Sequence, residues 1–393
     1  MTLRTLVRLL RTCAMRGRWT APRRVPYLLY FANGHDIIEP LVPQGSLEVC
    51  DMREISINAR VQAACLRRGT WSAVAYGDEY IRRVQPRIVI TCIDNFWEFY
   101  ELKSRFPGIT FVTVQNGVRG PSDDIFGHFS SEDPATRPPR HVDEMLVYGT
   151  AVGRELTKYV SGRIRTVGSA RSNALRWPSS SSSSPRTIVY VSTRRSTVPP
   201  AQRVSIHGGT AQVSLAEVYA RRDGVVRHLA NYCARHDLAL VIAGKDDDAV
   251  ADRRHYERLL GTEDFSYEPR TDAYAGYRTV DRGDIVVFTS SSLGYEALGR
   301  GRRIAALFTD IEVTHSVVER FGWPLDLPDD GPFWTHRYDE DRFDEILDTL
   351  RTVDAETWRT MSSSIADELM RYDEYNSVLR AILRNDDASL RHA

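Results

Sequence analysis

The sequence predicts an α/β protein of two domains, each built on a parallel sheet, that face one another across a cleft. The chain has 393 residues, which is too long for one typical core and fits two domains of about 150–200 residues each. Short buried-strand patterns alternate with helical patterns in both halves, and a run of serines separates the halves. The composition, 42% hydrophobic and 26% charged, is ordinary for a soluble globular protein.

Charge and cysteine usage narrow the classes of function. Lys+Arg and Asp+Glu both total 52, so no net positive field favours a nucleic-acid partner. The five cysteines are scattered and show no C-x-x-C spacing, which is typical of a reducing compartment rather than of a zinc site or a disulfide framework. We therefore expect a cytoplasmic protein that does not bind nucleic acid.

The N-terminal segment, Met1–Arg24, interleaves leucines with arginines. Its apolar stretches are much shorter than the roughly 18–20 residues of a membrane span. A basic amphipathic segment of this kind can lie on an anionic membrane surface, which would make the protein peripheral on the inner face of the cell membrane. A solvated, frayed terminus is the alternative.

Residues 25–177 are predicted to form the first domain. Arg87–Cys92 and Thr110–Val114 are uninterrupted runs rich in β-branched side chains, as expected of strands buried on both faces. Phe96–Arg105 lies between them with helical spacing and is followed by Pro107-Gly108. This β-α-β alternation predicts a Rossmann-like domain with a parallel sheet and right-handed crossovers.

Residues 178–186 are predicted to be a linker, because the six consecutive serines Ser179–Ser184 cannot join a core. Residues 187–393 repeat the alternation, with a long helix at Leu215–Arg235, and end in helices. Two Rossmann-like halves would place a cleft between the carboxyl ends of their sheets, where ligands bind in such folds.

The most informative segment is a serine-rich turn. A buried strand that ends at Phe288 leads into Ser290, Ser291 and Ser292 and then directly into a helix. The first N–H groups of a helix lack partners and carry partial positive charge, so they can form a phosphate cradle together with hydroxyls. Glu296, one turn into the helix, could accept hydrogen bonds from a ribose diol. The alternative is that Ser291 or Ser292 is merely the N-cap.

The segment S-S-x-G-x-E-A-L-x-x-G, from Ser291 to Gly301, resembles the donor-side motif of GT-B glycosyltransferases. A closer resemblance is to bacterial surface-carbohydrate biosynthesis proteins related to CDP-glycerol glycerophosphotransferases, polysialyltransferases and Kdo transferases. The other matching segments are I-D-N-F-W-E-F-Y at Ile93–Tyr100, V-Q-N-G-V-R-G at Val114–Gly120, V-G-S at Val167–Ser169, A-G-K at Ala243–Lys245 and F-G-W-P…G-P-F-W at Phe321–Trp334. The resemblance covers most of residues 27–350 and implies a GT-B fold, with an N-terminal acceptor domain and a C-terminal nucleotide-sugar domain.

Acceptor-side candidates follow the strands of the first domain. Asp94 should point into the cleft and could act as general base on an acceptor hydroxyl, whereas an Asx cap on the next helix is the alternative. Gln115, Asn116 and Arg119 could bind acceptor hydroxyls or an anionic sugar group, although Asn116-Gly117 could equally be a turn. The similar families often carry a histidine where this chain has Asn116, so the role of that histidine cannot be transferred to this chain.

Donor-side cations are expected after the strands of the second domain. Arg194 and Arg195 could clamp a diphosphate with paired N–H donors. Lys245 could bind it as a point charge, unless the acidic run Asp246–Asp248 neutralises the lysine. The histidines His207 and His315 are further candidates for an acid, although a histidine in a loop is as often structural.

Several common signals are missing from the sequence. No His/Cys/Asp cluster has metal-ligand spacing, and neither G-x-G-x-x-G, G-x-x-x-x-G-K-[ST] nor G-x-S-x-G occurs. We therefore expect no metal and no cofactor. The resemblance to the GT-B families implies a glycosyltransferase that moves a sugar from a nucleotide-sugar to a surface glycan or lipid-linked glycan. A CDP-alcohol phosphotransferase, a nucleotide-sugar epimerase and a non-catalytic envelope-glycan scaffold are the alternatives.

Overall fold

The computed structural model describes residues 18–384 except 52–56, 71, 122–123, 178–184, 196–202, 207–210, 246–247 and 315–319. Most of the N-terminal segment, the serine run of the linker, His207 and His315 therefore lie outside the described residues. Two parallel sheets organise the rest of the chain, and we call the parts built on them the first lobe and the second lobe.

The first lobe is built on a six-stranded sheet in the order β2-β1-β3-β4-β5-β6, with every neighbouring pair parallel. Its strands are β1 Tyr27–Tyr30, β2 Leu47–Cys50, β3 Ile88–Thr91, β4 Thr110–Val114, β5 His141–Val147 and β6 Ser161–Thr166. The chain passes from β1 to its neighbour β2 on one side and then returns to β3, which lies on the other side of β1. The direction of strand addition thus reverses between β1 and β3, which is where such sheets open a crevice for ligands.

The helices that the structure describes in this half of the chain are α1 His35–Ile38, α2 Ala59–Arg67, α3 Ala73–Val84, α4 Leu102–Arg105, α5 Asp124–Ser131, α6 Thr150–Leu156 and α7 Ala170–Asn173. The helix predicted over Phe96–Arg105 is only partly α-helical, since Trp97–Glu101 forms a 3-10 turn before α4. Phe99 and Tyr100 are fully buried in this turn, so core packing rather than helix propensity sets its winding.

The second lobe is built on a seven-stranded sheet in the order β11-β10-β7-β12-β13-β15-β14. Its strands are β7 Thr187–Val191, β10 Ala239–Ala243, β11 Ser266–Glu268, β12 Ile285–Phe288, β13 Arg303–Leu307, β14 Asp330–Gly331 and β15 Trp334–Thr335. Among the strands described in this sheet, β14 and β15 pair antiparallel and the other neighbours pair parallel. The direction of strand addition reverses between β7 and β12. A separate antiparallel pair is formed by β8 Arg203–Ile206 and β9 Ala211–Ser214.

The helices of the second half are α8 Leu215–His236, α9 Ala249–Leu260, α10 Ala275–Arg282, α11 Ser292–Gly299, α12 Ile311–Thr314, α13 Glu340–Thr352, α14 Ala355–Leu369 and α15 Ser377–Arg384. The long helix expected near Leu215 begins at that residue. The expected helix after the serine-rich turn begins at Ser292. Both starts agree with the position at which apolar residues begin to recur at helical spacing in the sequence.

The C-terminal helices divide between the two lobes, although the sequence placed all of them with the second domain. Leu379, Ile382 and Leu383 of α15 pack in one core cluster with Tyr27 and other residues of the first sheet. The Tyr27 hydroxyl donates to the Leu383 carbonyl at 2.8 Å. The chain therefore crosses from α14 back to the first lobe before it ends.

This crossing segment lies directly on the backbone of the first lobe. Arg371 N donates to the Tyr148 carbonyl at 2.8 Å, and Gly168 forms an antiparallel bridge with Tyr372. A Cβ atom at Gly168 would overlap the carbonyl oxygen of Arg371, and Gly168 has a positive φ of 75°. The contact is thus possible only because residue 168 has no side chain.

Gly168→Ala is expected to lower the free energy of unfolding by about 1–3 kcal/mol, because the added methyl group meets backbone and the φ is strained. Gly45→Ala is the matched control, since Gly45 has a φ of 76° and nothing within 4 Å of an added Cβ. Urea denaturation would measure both. Equal losses in the two variants would show that the crossing segment does not press on Gly168.

Candidate functional site

The carboxyl edges of the two sheets face the same space, and two cavities lie there. One, of about 180 Å³, lies at the β7/β12 reversal of the second sheet, and we call it the second-lobe cavity. The other, of about 150 Å³, lies at the β1/β3 reversal of the first sheet, and we call it the first-lobe cavity. Both are lined by Arg171, Tyr277, Ser292 and Glu296, so the two cavities form one interlobe cleft.

The serine-rich turn lies at this cleft. Ser291 is the N-cap of α11, and its Oγ accepts a hydrogen bond from Leu293 N at 3.3 Å. The N-cap alternative is therefore correct for Ser291, which nevertheless lines the second-lobe cavity together with Ser292. Ser292, the first residue of α11, lines both cavities. Ser290 lines neither of the two.

Glu296 lies at the seam between the two lobes. Its carboxylate is only 5% exposed and accepts a hydrogen bond from the Tyr277 hydroxyl at 2.9 Å. Ser169, the N-cap of α7 in the first lobe, also hydrogen bonds to it. Burial raises the pKa of Glu296 to about 7, and these hydrogen bonds only partly offset the cost of burying its charge. One carboxyl group thus joins both lobes and titrates near neutrality.

Positive charge gathers in the second-lobe cavity. Lys245 and Arg270 line it. Burial lowers the pKa of Lys245, and the nearby guanidinium groups of Arg195, Arg222 and Arg270 lower it further. A lysine whose pKa falls for these reasons stands among cations and would gain free energy from a bound anion. The cavity is therefore suited to phosphate or carboxylate.

The two predicted arginines after β7 have different surroundings. The Arg194 guanidinium lies over the Tyr219 ring at 5.4 Å, and its backbone N–H donates to Ser192 Oγ at 3.2 Å. Arg194 does not line the second-lobe cavity. Arg195 is exposed and adds to the positive charge at Lys245. Of this pair, Arg195 is the one whose charge reaches the cavity.

Asp94 is held by the loop that follows β4. Its Oδ1 accepts from Arg119 Nη2 at 2.5 Å and from Asn116 N at 2.9 Å, while Oδ2 accepts from Arg119 Nε at 3.1 Å. Asp94 caps no helix, because the following 3-10 turn has Phe96 at its N-cap without a side-chain hydrogen bond. The Asx-cap alternative is therefore wrong. Asp94 and Arg119 line a small void of about 10 Å³ rather than either cavity of the cleft.

Gln115 and Asn116 line the first-lobe cavity. The Gln115 amide is satisfied within the loop, since Nε2 donates to the Gly117 carbonyl at 2.9 Å and Oε1 accepts from Tyr148 N at 2.8 Å. The exposed Asn116 side chain contacts Asn33 Oδ1 at 3.4 Å. Asn116 is therefore the predicted acceptor-side residue with the most accessible polar group.

Sequence reasoning missed several residues of the cleft. Ser169 is the last residue of the V-G-S segment and Arg171 lies two residues further on, so their position after the carboxyl end of β6 was a usable signal. Tyr277 lies inside α10, where nothing in its neighbourhood distinguishes it from a core aromatic. Within the ranges that the structure describes, no group of three or more His, Cys, Asp or Glu residues could hold a metal ion.

Comparison with solved structures shows the fold. A Listeria monocytogenes protein described as a "putative UDP-N-acetylglucosamine 2-epimerase" is 15% identical, with 93% of this chain and 97% of that chain covered and a TM-score of 0.50. The wall teichoic acid polymerase TagF is 12% identical, with 99% and 98% covered and a TM-score of 0.45. Sucrose-phosphate synthase from Thermosynechococcus elongatus is 13% identical, with 93% and 100% covered and a TM-score of 0.46.

The predicted fold, two Rossmann-like lobes that face a cleft in the GT-B arrangement, is confirmed by the two sheets and by the Listeria structure. No curated protein matches the sequence. A family model with the description "putative O-antigen biosynthesis protein" matches residues 112–387. Because this match spans well over half of the chain, the protein belongs to that O-antigen biosynthesis family, Lept_O_ant_chp1.

Proposed function

We propose that the protein is a metal-independent glycosyltransferase that moves a sugar from a nucleotide-sugar donor to a surface glycan or lipid-linked glycan. The observation that carries this proposal is the second-lobe cavity, where the start of α11 and a group of cations face the first lobe across the cleft. Membership of an O-antigen biosynthesis family supports the choice of a glycan as acceptor.

The donor diphosphate would lie at the start of α11. Ser292 contributes a hydroxyl there, and the first N–H groups of the helix add partial positive charge. Lys245 lines the same cavity and supplies a full charge there, and Arg195 adds a second charge near Lys245. Glu296 would accept hydrogen bonds from the ribose hydroxyls. The sugar would then point toward the first-lobe cavity, where Gln115 and Asn116 would meet the acceptor.

In the transfer, the acceptor oxygen forms a bond to the anomeric carbon, and the bond from that carbon to the phosphate oxygen breaks. The electron pair goes to the leaving phosphate, which the cations and the helix start stabilise. The acceptor proton goes to a base. Asp94 stays our prediction for that base, with Arg119 as its partner. Because Arg119 donates to both carboxylate oxygens of Asp94, this ion pair would have to open before Asp94 could accept the proton.

The rival activities give different products. Phosphotransfer from a CDP-alcohol would create a new phosphodiester, which the product mass would reveal. An epimerase would interconvert nucleotide-sugars without any acceptor. A scaffold would bind no nucleotide. Thermal-shift measurements with CMP, CDP, UDP and GDP test the proposal first, because a ligand that binds only the folded protein raises its melting temperature.

Ser292→Ala and Lys245→Ala are each expected to weaken nucleotide-sugar binding, by about tenfold or more for the lysine, because each removes a partner of the diphosphate. Isothermal calorimetry would measure the affinities. Ser363→Ala, at an exposed serine of α14, is the matched control for the serine variant. Unchanged affinity in both cavity variants would show that the diphosphate does not bind in the second-lobe cavity.

Donor binding is expected to strengthen as pH rises from about 6 to about 8, because Glu296 ionises near pH 7 and a carboxylate accepts hydroxyl hydrogen bonds more strongly than its acid form does. The gain should be about threefold to tenfold. Calorimetry with a nucleotide-sugar suits this range, since its phosphates do not titrate there. Glu296→Gln and a 2′-deoxyribose donor should both flatten the profile. The ribose contact is wrong if the deoxy donor keeps the full pH dependence.

The proposed peripheral contact with an anionic membrane also stays a prediction. Among the described residues, no helix is long and apolar enough to cross a membrane. Trp19, near the end of the predicted basic segment, is 62% exposed, and the Arg23 side chain is 57% exposed. An exposed tryptophan beside arginines suits the interface of an anionic bilayer.

The full chain is expected to sediment with phosphatidylglycerol vesicles and not with phosphatidylcholine vesicles, and high salt should release it. Trp19→Ala should weaken the binding several-fold, since an interfacial aromatic side chain is lost. Trp177→Ala is the matched control, because Trp177 is 47% exposed and packs against Tyr372 instead. Equal binding to both kinds of vesicle would contradict electrostatic attachment.

A further inference from the structure

Arg171 belongs to the first lobe but lines both cavities of the cleft. It follows the N-cap of α7, at the carboxyl edge of the first sheet. Its Nη2 donates to Asp36 Oδ1 at 3.0 Å, and Tyr274, from the second lobe, interacts electrostatically with both members of the pair. The guanidinium therefore lies at the passage between the two cavities.

One N–H group of this guanidinium has no partner in the described part of the protein. Arg171 Nε is buried and has no hydrogen-bond partner among the described residues. A buried N–H without an acceptor is costly, so a ligand oxygen in the cleft would be favourable. The partner carboxylate, Asp36, is 40% exposed. An ion pair that is open to water is weak and gives way readily to a stronger anion.

We propose that Arg171 binds the donor diphosphate from the first lobe and that Asp36 holds the guanidinium in place until the donor arrives. This inference rests on the proposed function and adds a contact that the sequence did not indicate. The diphosphate at Ser292 would then be held by Lys245 from the second lobe and by Arg171 from the first. The planar guanidinium can present two parallel N–H donors to phosphate oxygens.

This arrangement couples donor binding to closure of the cleft. Arg171 and Lys245 carry like charges on opposite lobes, and both line the second-lobe cavity. A diphosphate between them would attract both cations, so donor binding would draw the two lobes together. Loss of the donor phosphate would return Arg171 to Asp36.

The test compares affinities for CDP, UDP and GDP with affinities for the matching nucleosides by calorimetry. Arg171→Ala should weaken diphosphate binding by about tenfold to a hundredfold and leave nucleoside binding unchanged, because only the phosphate contact is lost. Arg171→Lys should give an intermediate loss, since it keeps the charge without the paired donors. Asp36→Asn should leave diphosphate binding equal or a few-fold tighter, because the competing carboxylate is removed.

Arg235→Ala is the control, since Arg235 pairs with Asp344 at the surface of α8. If the wild type binds a nucleoside diphosphate and Arg171→Ala or Arg171→Lys binds it as tightly as Arg235→Ala does, the inference is overturned while the proposed function stands. Asp36→Asn weakening diphosphate binding as much as Arg171→Ala would also overturn it, because the pair would then be structural. A wild type that binds no nucleotide would remove the proposed function and this inference together.

Discussion

The return of the chain from the second lobe to the first, over residues 369–376, determines how the two sheets face one another. The backbone of the crossing segment contacts the backbone of the first lobe at Tyr148 and Gly168, and α15 then packs on the first sheet. Arg300, fully buried, adds a polar link, because it pairs with Asp281 of the second lobe and donates to the Ser172 carbonyl. A cleft lined from both sides depends on these contacts, since neither lobe alone encloses it.

One part of the seam beside this crossing is polar, while Trp323 makes an aromatic contact with Phe126 elsewhere between the lobes. Glu296, Tyr277 and Ser169 satisfy one another in the polar part, although a hydrophobic contact of the same area would hold the lobes together more firmly. A polar seam separates at lower cost because water can replace each hydrogen bond. Water or a ligand can therefore enter the polar part of the seam while the crossing segment and the Phe126–Trp323 contact keep the lobes attached.

The sequence predicted what depends on local pattern. Thr110–Val114 is a strand with the predicted bounds, and the helix after β12 begins at the predicted serine. It did not predict the pairing of Asp94 with Arg119, because the two are separated by 25 residues and each alone resembles a free polar residue at a strand end. The role of a side chain at this edge depends on its neighbours across the sheet, and a single sequence does not contain that information.

The same limit applies to charge. The chain has as many basic as acidic residues, yet cations gather around Lys245 because the fold brings Arg195, Arg222 and Arg270 to one place. That repulsion lowers the stability of the fold, and the ion pair between Asp310 and Arg222 offsets part of it. A bound anion would offset more of that repulsion. A cluster of cations that lowers stability without a ligand is explained more readily by a bound anion such as phosphate than by a structural need.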